Sequence, residues 1–131
     1  MIRPNLINLN KITDDRGNLT YMQYPEHVPF KFKRVYWIYD VPSGQTRGGH
    51  AFKSQKEVIV CLSGSLEVYI SNGTIEESYT LNRPFNALYV PELTWRQLRN
   101  FSTNTVVMIL NSDYFDEKDY IHEYESFSTY K

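Results

Sequence analysis

The stretch that decides the fold reads GQTRGGHAFKSQKEVIVCLSG and runs from Gly44 to Gly64. Its marked residues fall at fixed intervals: Gly44, five residues, His50, one residue, Phe52, four residues, Glu57, six residues, Gly64. His50 and Phe52 stand two apart on an extended segment, which points both side chains to one face. From Glu57 the chain enters a continuous apolar run, Val58-Ile59-Val60-Cys61-Leu62, before Ser63-Gly64 turns it. A short apolar run bounded by turn signals predicts a buried strand. Cys61 inside it reads as a core thiol, since an unpaired cysteine behaves as a small hydrophobe.

Working outward, residues 6–9 are a candidate first strand, residues 13–18 a turn cluster and residues 19–24 a second strand. The aromatic and β-branched stretch from Phe30 to Tyr39 predicts one long strand, ended at residues 42–45. Beyond Gly64, Leu66, Val68 and Ile70 alternate with Glu67, Tyr69 and Ser71, the period of a half-buried strand. Asn72-Gly73 predicts a two-residue hairpin turn, with the return strand over residues 74–81. Three more strands are expected over residues 87–90, 95–101 and 106–110. Only the tail, residues 113–127, reads as partly helical, with Tyr120, Tyr124 and Phe127 at i, i+4 and i+7 on one face. Many short strands with frequent turn signals mean an all-β sandwich or barrel.

Bulk composition narrows the function. The 131 residues predict one domain over residues 1–131, long enough to bury a core without disulfides. Fourteen basic and fifteen acidic residues give a net charge of −1, with no block of one sign. That argues against a nucleic-acid partner and against an anionic membrane surface. A lone cysteine excludes an intrachain disulfide. No apolar stretch approaches the ~18 residues of a membrane span, and the N-terminus lacks the apolar core of a signal peptide, so the expected location is cytoplasmic. Eleven tyrosines suit a pocket lining, because each ring carries a polar tip; they also suit strands in general.

A second spaced pattern follows the first: Pro91, one residue, Leu93, two residues, Arg96, three residues, Asn100. The two together resemble the paired motifs of the cupins. The resemblance implies a double-stranded β-helix, a jelly-roll barrel, here with a short C-terminal helical segment, and it puts the His50 face inside the barrel. A metal-binding cupin takes two histidines and a glutamate from the first motif and a histidine from the second. The four positions here hold His50, Phe52, Glu57 and Arg96. Arginine has no acceptor and stays protonated, so neither a metal nor another cofactor is expected.

Over nearly its whole length the chain also resembles a narrower family, the dTDP-sugar 3,4-ketoisomerases. The match is carried by residues 15–19 (DRGNL), 33–40 (KRVYWIYD), 47–51 (RGGHA) with Lys53, 60–65 (VCLSGS), 88–90 (LYV) and Trp95. The tail at residues 112–121 (SDYFDEKDYI), followed by Tyr124 and Phe127, is similar too. The resemblance implies that the ketone of a dTDP-linked 4-keto-6-deoxyhexose moves from C4 to C3 through an enediol, in deoxysugar and surface-polysaccharide biosynthesis. It implies His50 and Tyr36 as catalytic residues, the imidazole serving as acid and base near neutral pH. Arg16, Arg47, Lys53, Glu57, Arg96 and Trp95 would bind the substrate, Arg16 by a charged hydrogen bond to a phosphate or carbonyl oxygen. The family forms homodimers with exchanged N-terminal strands, for which Leu6-Ile7-Asn8-Leu9 is suited.

Two positions depart from the family: Phe52 replaces a second active-site histidine, and Arg96 stands where close relatives keep histidine. Three outcomes fit. His50 alone shuttles the proton, a tyrosine or Arg96 is recruited, or the barrel binds a nucleotide sugar without turning it over. A metal-dependent cupin oxygenase is disfavoured by the same two residues.

Overall fold

Alternating apolar and polar residues give each strand one face to bury, and two sheets with such faces close on each other. The computed structural model describes residues 3–130. Its strands are β1 (Asn5–Asn8), β2 (Ile12–Asp14), β3 (Gly17–Leu19), β4 (Arg34–Ile38), β5 (Arg47–Phe52) and β6 (Glu57–Ser63). They continue with β7 (Leu66–Ser71), β8 (Glu76–Leu81), β9 (Asn86–Val90), β10 (Trp95–Arg99), β11 (Val106–Asn111) and β12 (Tyr120–Ile121). A 3-10 turn at Glu117–Asp119 precedes β12, and the helix α1 (Tyr124–Tyr130) follows it. One sheet has the order β1-β9-β6-β11-β4, the other β12-β5-β10-β7-β8, and β2-β3 form a separate hairpin. From β4 onward the chain passes back and forth between the two sheets, interrupted only by the β7–β8 hairpin. That winding is the jelly-roll barrel of the cupin fold.

The inner faces meet in a core of Ile59, Cys61, Leu88, Val107 and Ile109 from the first sheet with Leu66, Val68, Ile70, Leu81 and Leu98 from the second. Each fully buried aliphatic side chain is worth about 1.5–3 kcal/mol of transfer energy. Strand β6 reads as continuously apolar because it is covered twice. Val58 and Val60 face outward into a second cluster with Leu9, Val28, Phe30 and Tyr89 from the N-terminal segments and β9. Gly64 closes β6 at φ +81°, and a Cβ there would sit 2.5 Å from Thr105 Oγ1, so only glycine fits that turn.

The structure departs from the sequence reading at four places. Residues 20–24 form no strand, and the turn cluster at 13–18 is itself the β2–β3 hairpin. The long strand expected from Phe30 begins only at Arg34. The loop between β7 and β8 has four residues, since Ser71 pairs with Glu76. There the Asn72 side chain accepts hydrogen bonds from Thr74 N and Ile75 N, an Asx geometry that replaces the two-residue turn. In the tail, Tyr120 belongs to β12 and not to the helix. No helix among the described residues is long and apolar enough to cross a membrane.

Candidate active site

The site forms where inward residues of five strands converge. Arg34 and Tyr36 come from β4, Gly48, His50 and Phe52 from β5, Glu57 from β6, Arg96 from β10 and Asn111 from β11. Register decides who meets whom: Arg96 lies opposite His50 across β10 and β5, and Asn111 opposite Glu57 across β11 and β6.

Arg96 and Glu57 form a buried ion pair, their side chains 2% and 1% exposed. Arg96 Nε donates to Glu57 Oε1 at 2.8 Å, and Nη2 lies 2.7 Å from the same oxygen. Nη2 also donates to Tyr36 Oη at 2.9 Å, and Nη1 to the Gly48 carbonyl at 3.3 Å. Tyr36 Oη donates to Glu57 Oε2, which also accepts from Asn111 Nδ2 at 3.1 Å. Gly48 makes room for this: at φ +68°, a Cβ there would collide with Arg96 Nη1. A pair this deeply buried adds little net stability, while loss of one partner alone costs about 3–5 kcal/mol. Its value is geometric, since it fixes Tyr36 and the floor of the site. Burial, partly offset by Arg96 and reinforced by Glu57, holds the Tyr36 phenol well above its ordinary pKa, so Tyr36 stays protonated.

His50 is set differently. It is 9% exposed, and its Nε2 is buried with no hydrogen-bond partner among the described residues. Its ring meets Phe52 edge-on at 4.8 Å and Tyr120 at 4.9 Å. Burial first, and then the charges of Arg96, His122 and Arg34, lower its pKa to about 2. The imidazole is therefore neutral at physiological pH, with an unpartnered buried nitrogen and the rings of Phe52 and Tyr120 packed against its own. A neutral imidazole has the lone pair needed to accept a substrate proton.

A metal does not fit these residues. Both Glu57 oxygens are taken by Arg96, Tyr36 and Asn111, and the guanidinium occupies the centre. No group of three or more His, Cys, Asp or Glu side chains converges among the described residues.

Of the residues expected from sequence, the fold brings together Tyr36, His50, Glu57 and Arg96. Four others lie apart from this cluster. Trp95 turns to the outer face of its sheet, because its neighbour Arg96 takes the inner one. It packs there with Ala51, Ile121 and Phe127, so it supports the tail where a ligand contact was expected. Lys53 is exposed over the Tyr130 ring at 5.8 Å, and Arg47 is exposed at the start of β5. Arg16 sits at the hairpin tip, 87% exposed, with Nη2 2.7 Å from Asp14 Oδ2. The hairpin borders a cavity of about 610 Å³ on the outer side of the first sheet, shared by Asn18, Thr20, Leu62 and Met108, away from the inner face that carries His50.

Three contributors were missed from sequence. Arg34 has a buried Nε without a partner, and it follows from the period of two that puts it on the face of Tyr36. Asn111 lies in phase with Val107 and Ile109, a polar end to an apolar strand. Tyr120 was hidden by its assignment to the helix.

A jelly-roll barrel whose usual metal position holds a buried Glu–Arg–Tyr network, beside a neutral histidine, defines a metal-free cupin-type site. The chain belongs to the family described as WxcM-like, C-terminal (FdtA), whose model matches residues 3–131. It is 42% identical over 125 residues to the TDP-4-oxo-6-deoxy-alpha-D-glucose-3,4-oxoisomerase of Aneurinibacillus thermoaerophilus, covering 95% of this chain and 90% of that one. Among solved structures, a 3,4-ketoisomerase from Helicobacter canadensis superposes with a TM-score of 0.95 at 33% identity, covering 99% of this chain and 98% of that one. The sugar 3,4-ketoisomerase QdtA from Thermoanaerobacterium thermosaccharolyticum, in complex with TDP, gives 0.94 at 35% identity, covering 98% and 93%.

Proposed function

We propose that this protein is a sugar-nucleotide 3,4-ketoisomerase that converts a TDP-linked 4-keto-6-deoxyhexose into its 3-keto isomer. The observation that carries the reading is His50, a neutral imidazole with an unpartnered buried nitrogen, in a chain 42% identical to an enzyme named for that reaction. The C4 carbonyl acidifies the proton on C3. His50 Nε2 removes it, the electron pair forms the C3–C4 double bond of an enediol, and the same imidazolium returns a proton to C4. Tyr36 is a positioning residue here, since its hydroxyl is held between Glu57 and Arg96. Arg34, with its free buried Nε, together with Arg47 and Lys53, supplies positive charge for the diphosphate.

The remaining parts of the reading concern the whole chain: one cupin unit, working in the cytoplasm as a homodimer. In the single chain β1 pairs with β9 of the same copy, and the same ladder formed between copies gives the exchanged arrangement. Arg16, remote from His50 here, enters as a diphosphate contact that the hairpin offers to a second copy. The competing reading, a barrel that binds the nucleotide sugar without turnover, draws on Phe52, which removes one acid–base group from the His50 face. Incubation with TDP-4-keto-6-deoxyglucose, followed by NMR, decides between them. A 3-keto product is expected from the wild type, and none from His50→Asn. Tight binding of the sugar nucleotide without conversion would establish the binding module instead.

A further inference from the structure

Moving a ketone from C4 to C3 relocates two protons, one between carbons and one between oxygens. In the first half the C3–H bond breaks, its electrons form the C3–C4 double bond, and the C4 carbonyl oxygen takes up a proton. In the second half the C3 hydroxyl loses its proton as the new carbonyl forms, and C4 gains one. C3 is oxidised by two electrons and C4 reduced by two, so no external oxidant is needed. His50 accounts for the carbon proton. The oxygen proton needs another group, and Phe52 has none to give.

The residues around His50 are mostly committed. Arg96 stays protonated and is held by Glu57, Tyr36 and Gly48. The Tyr36 hydroxyl donates to Glu57 and accepts from Arg96. Tyr120 differs from both. Strand β12 pairs with β5 so that Tyr120 lies opposite Phe52, on the inward face, with ring centroids 4.6 Å apart and 4.9 Å from His50. The phenol is near enough to act electrostatically on Tyr36 and Arg96. Its hydroxyl has no hydrogen-bond partner among the described residues. Its backbone is nevertheless fixed: Lys53 N donates to the Asp119 carbonyl at 2.9 Å, and the Asp119 carboxylate accepts from Ser54 Oγ at 2.8 Å and Gln55 N at 3.1 Å. His122 stacks on its ring at 5.3 Å and 7°.

We propose that Tyr120 is the second catalytic group, protonating the C4 oxygen as the enediol forms and taking the proton of the C3 hydroxyl as the new ketone forms. It fills, from the neighbouring strand, the role vacated where Phe52 replaces a histidine. The inference rests on the ketoisomerase reading.

The test compares wild type and Tyr120→Phe, which keeps the ring against His50 and Phe52, on TDP-4-keto-6-deoxyglucose in D2O. The expected result is a fall in kcat of roughly 10²–10⁴-fold, with KM and melting temperature little changed. Because Tyr120 acts in both halves of the reaction, deuterium uptake at C3 of recovered substrate should fall along with product formation in the variant. Undiminished kcat in Tyr120→Phe would overturn the inference and leave the ketoisomerase reading intact. C3 exchange that stays at the wild-type rate while turnover falls, or a collapsed melting temperature, would also overturn it, the first by removing Tyr120 from enediol formation and the second by assigning it a structural part. A wild type that yields no product would overturn the reading and the inference together.

Discussion

His50 is kept neutral by what surrounds it: a barrel interior, two aromatic rings and a guanidinium across the strand pair. Its pKa falls from an ordinary 6.5 to about 2, and that shift has a consequence for stability. Between those two values the unfolded chain holds a proton on this residue that the folded chain does not. The folded state therefore loses stability as pH drops below about 6.5, by at most about 1.4 kcal/mol per pH unit. Above that pH the residue contributes no slope. Urea unfolding of wild type and His50→Asn at pH 7.5 and pH 5.5 isolates the effect, because His27 and His122 are common to both. The wild type should lose more stability on acidification than the variant; parallel losses would contradict the neutral, desolvated state of His50.

At the scale of elements, the central strands were legible and the periphery was not. The spacing from Gly44 to Gly64 placed β5 and β6, and the alternation after Gly64 placed β7, because these strands bury one or both faces and hydrophobic period reports burial. Strand β4 was overextended because Phe30 and Phe32 are β-forming residues that alternate into the run. There Lys33 N donates to the Asn111 carbonyl, but regular strand begins at Arg34. The tail misled for a related reason. Tyr120, Tyr124 and Phe127 have helical spacing, yet the open edge of β5 captures residues 120–121 as a strand, a tertiary preference that overrides local pattern. Tyr124 and Phe127 do share a target, Trp95, at 5.4 and 6.1 Å. The candidate site divides the same way. His50, Glu57 and Arg96 could be found by motif spacing, and Arg34 by its phase with Tyr36. Asn111 and Tyr120 reach the site only through pairings of β11 with β6 and of β12 with β5, which join residues more than fifty positions apart and leave no local mark.

Across the whole molecule, the charged network and the tail cover the inner face of the site, while one outer face remains bare. Strand β4 is the edge of its sheet and shows Trp37 60% exposed, beside exposed Val35 and Tyr39, with Leu62 of β6 on the same side. Such an edge and face are open to association, and the dimer proposed from the β1–β9 ladder at the opposite edge should give twice the chain mass by light scattering; a monomer mass would remove that dimer. In the proposed reaction the carbon proton is handled by one buried imidazole, His50. A base that is shielded and works alone on carbon must carry the C3 proton to C4 itself, faster than solvent exchanges it. Turnover of TDP-4-keto-6-deoxyglucose deuterated at C3, in ordinary water, measures this directly. The 3-keto product should carry a substantial share of that deuterium at C4; a product with no label at C4 would contradict His50 as the single carrier of the carbon proton.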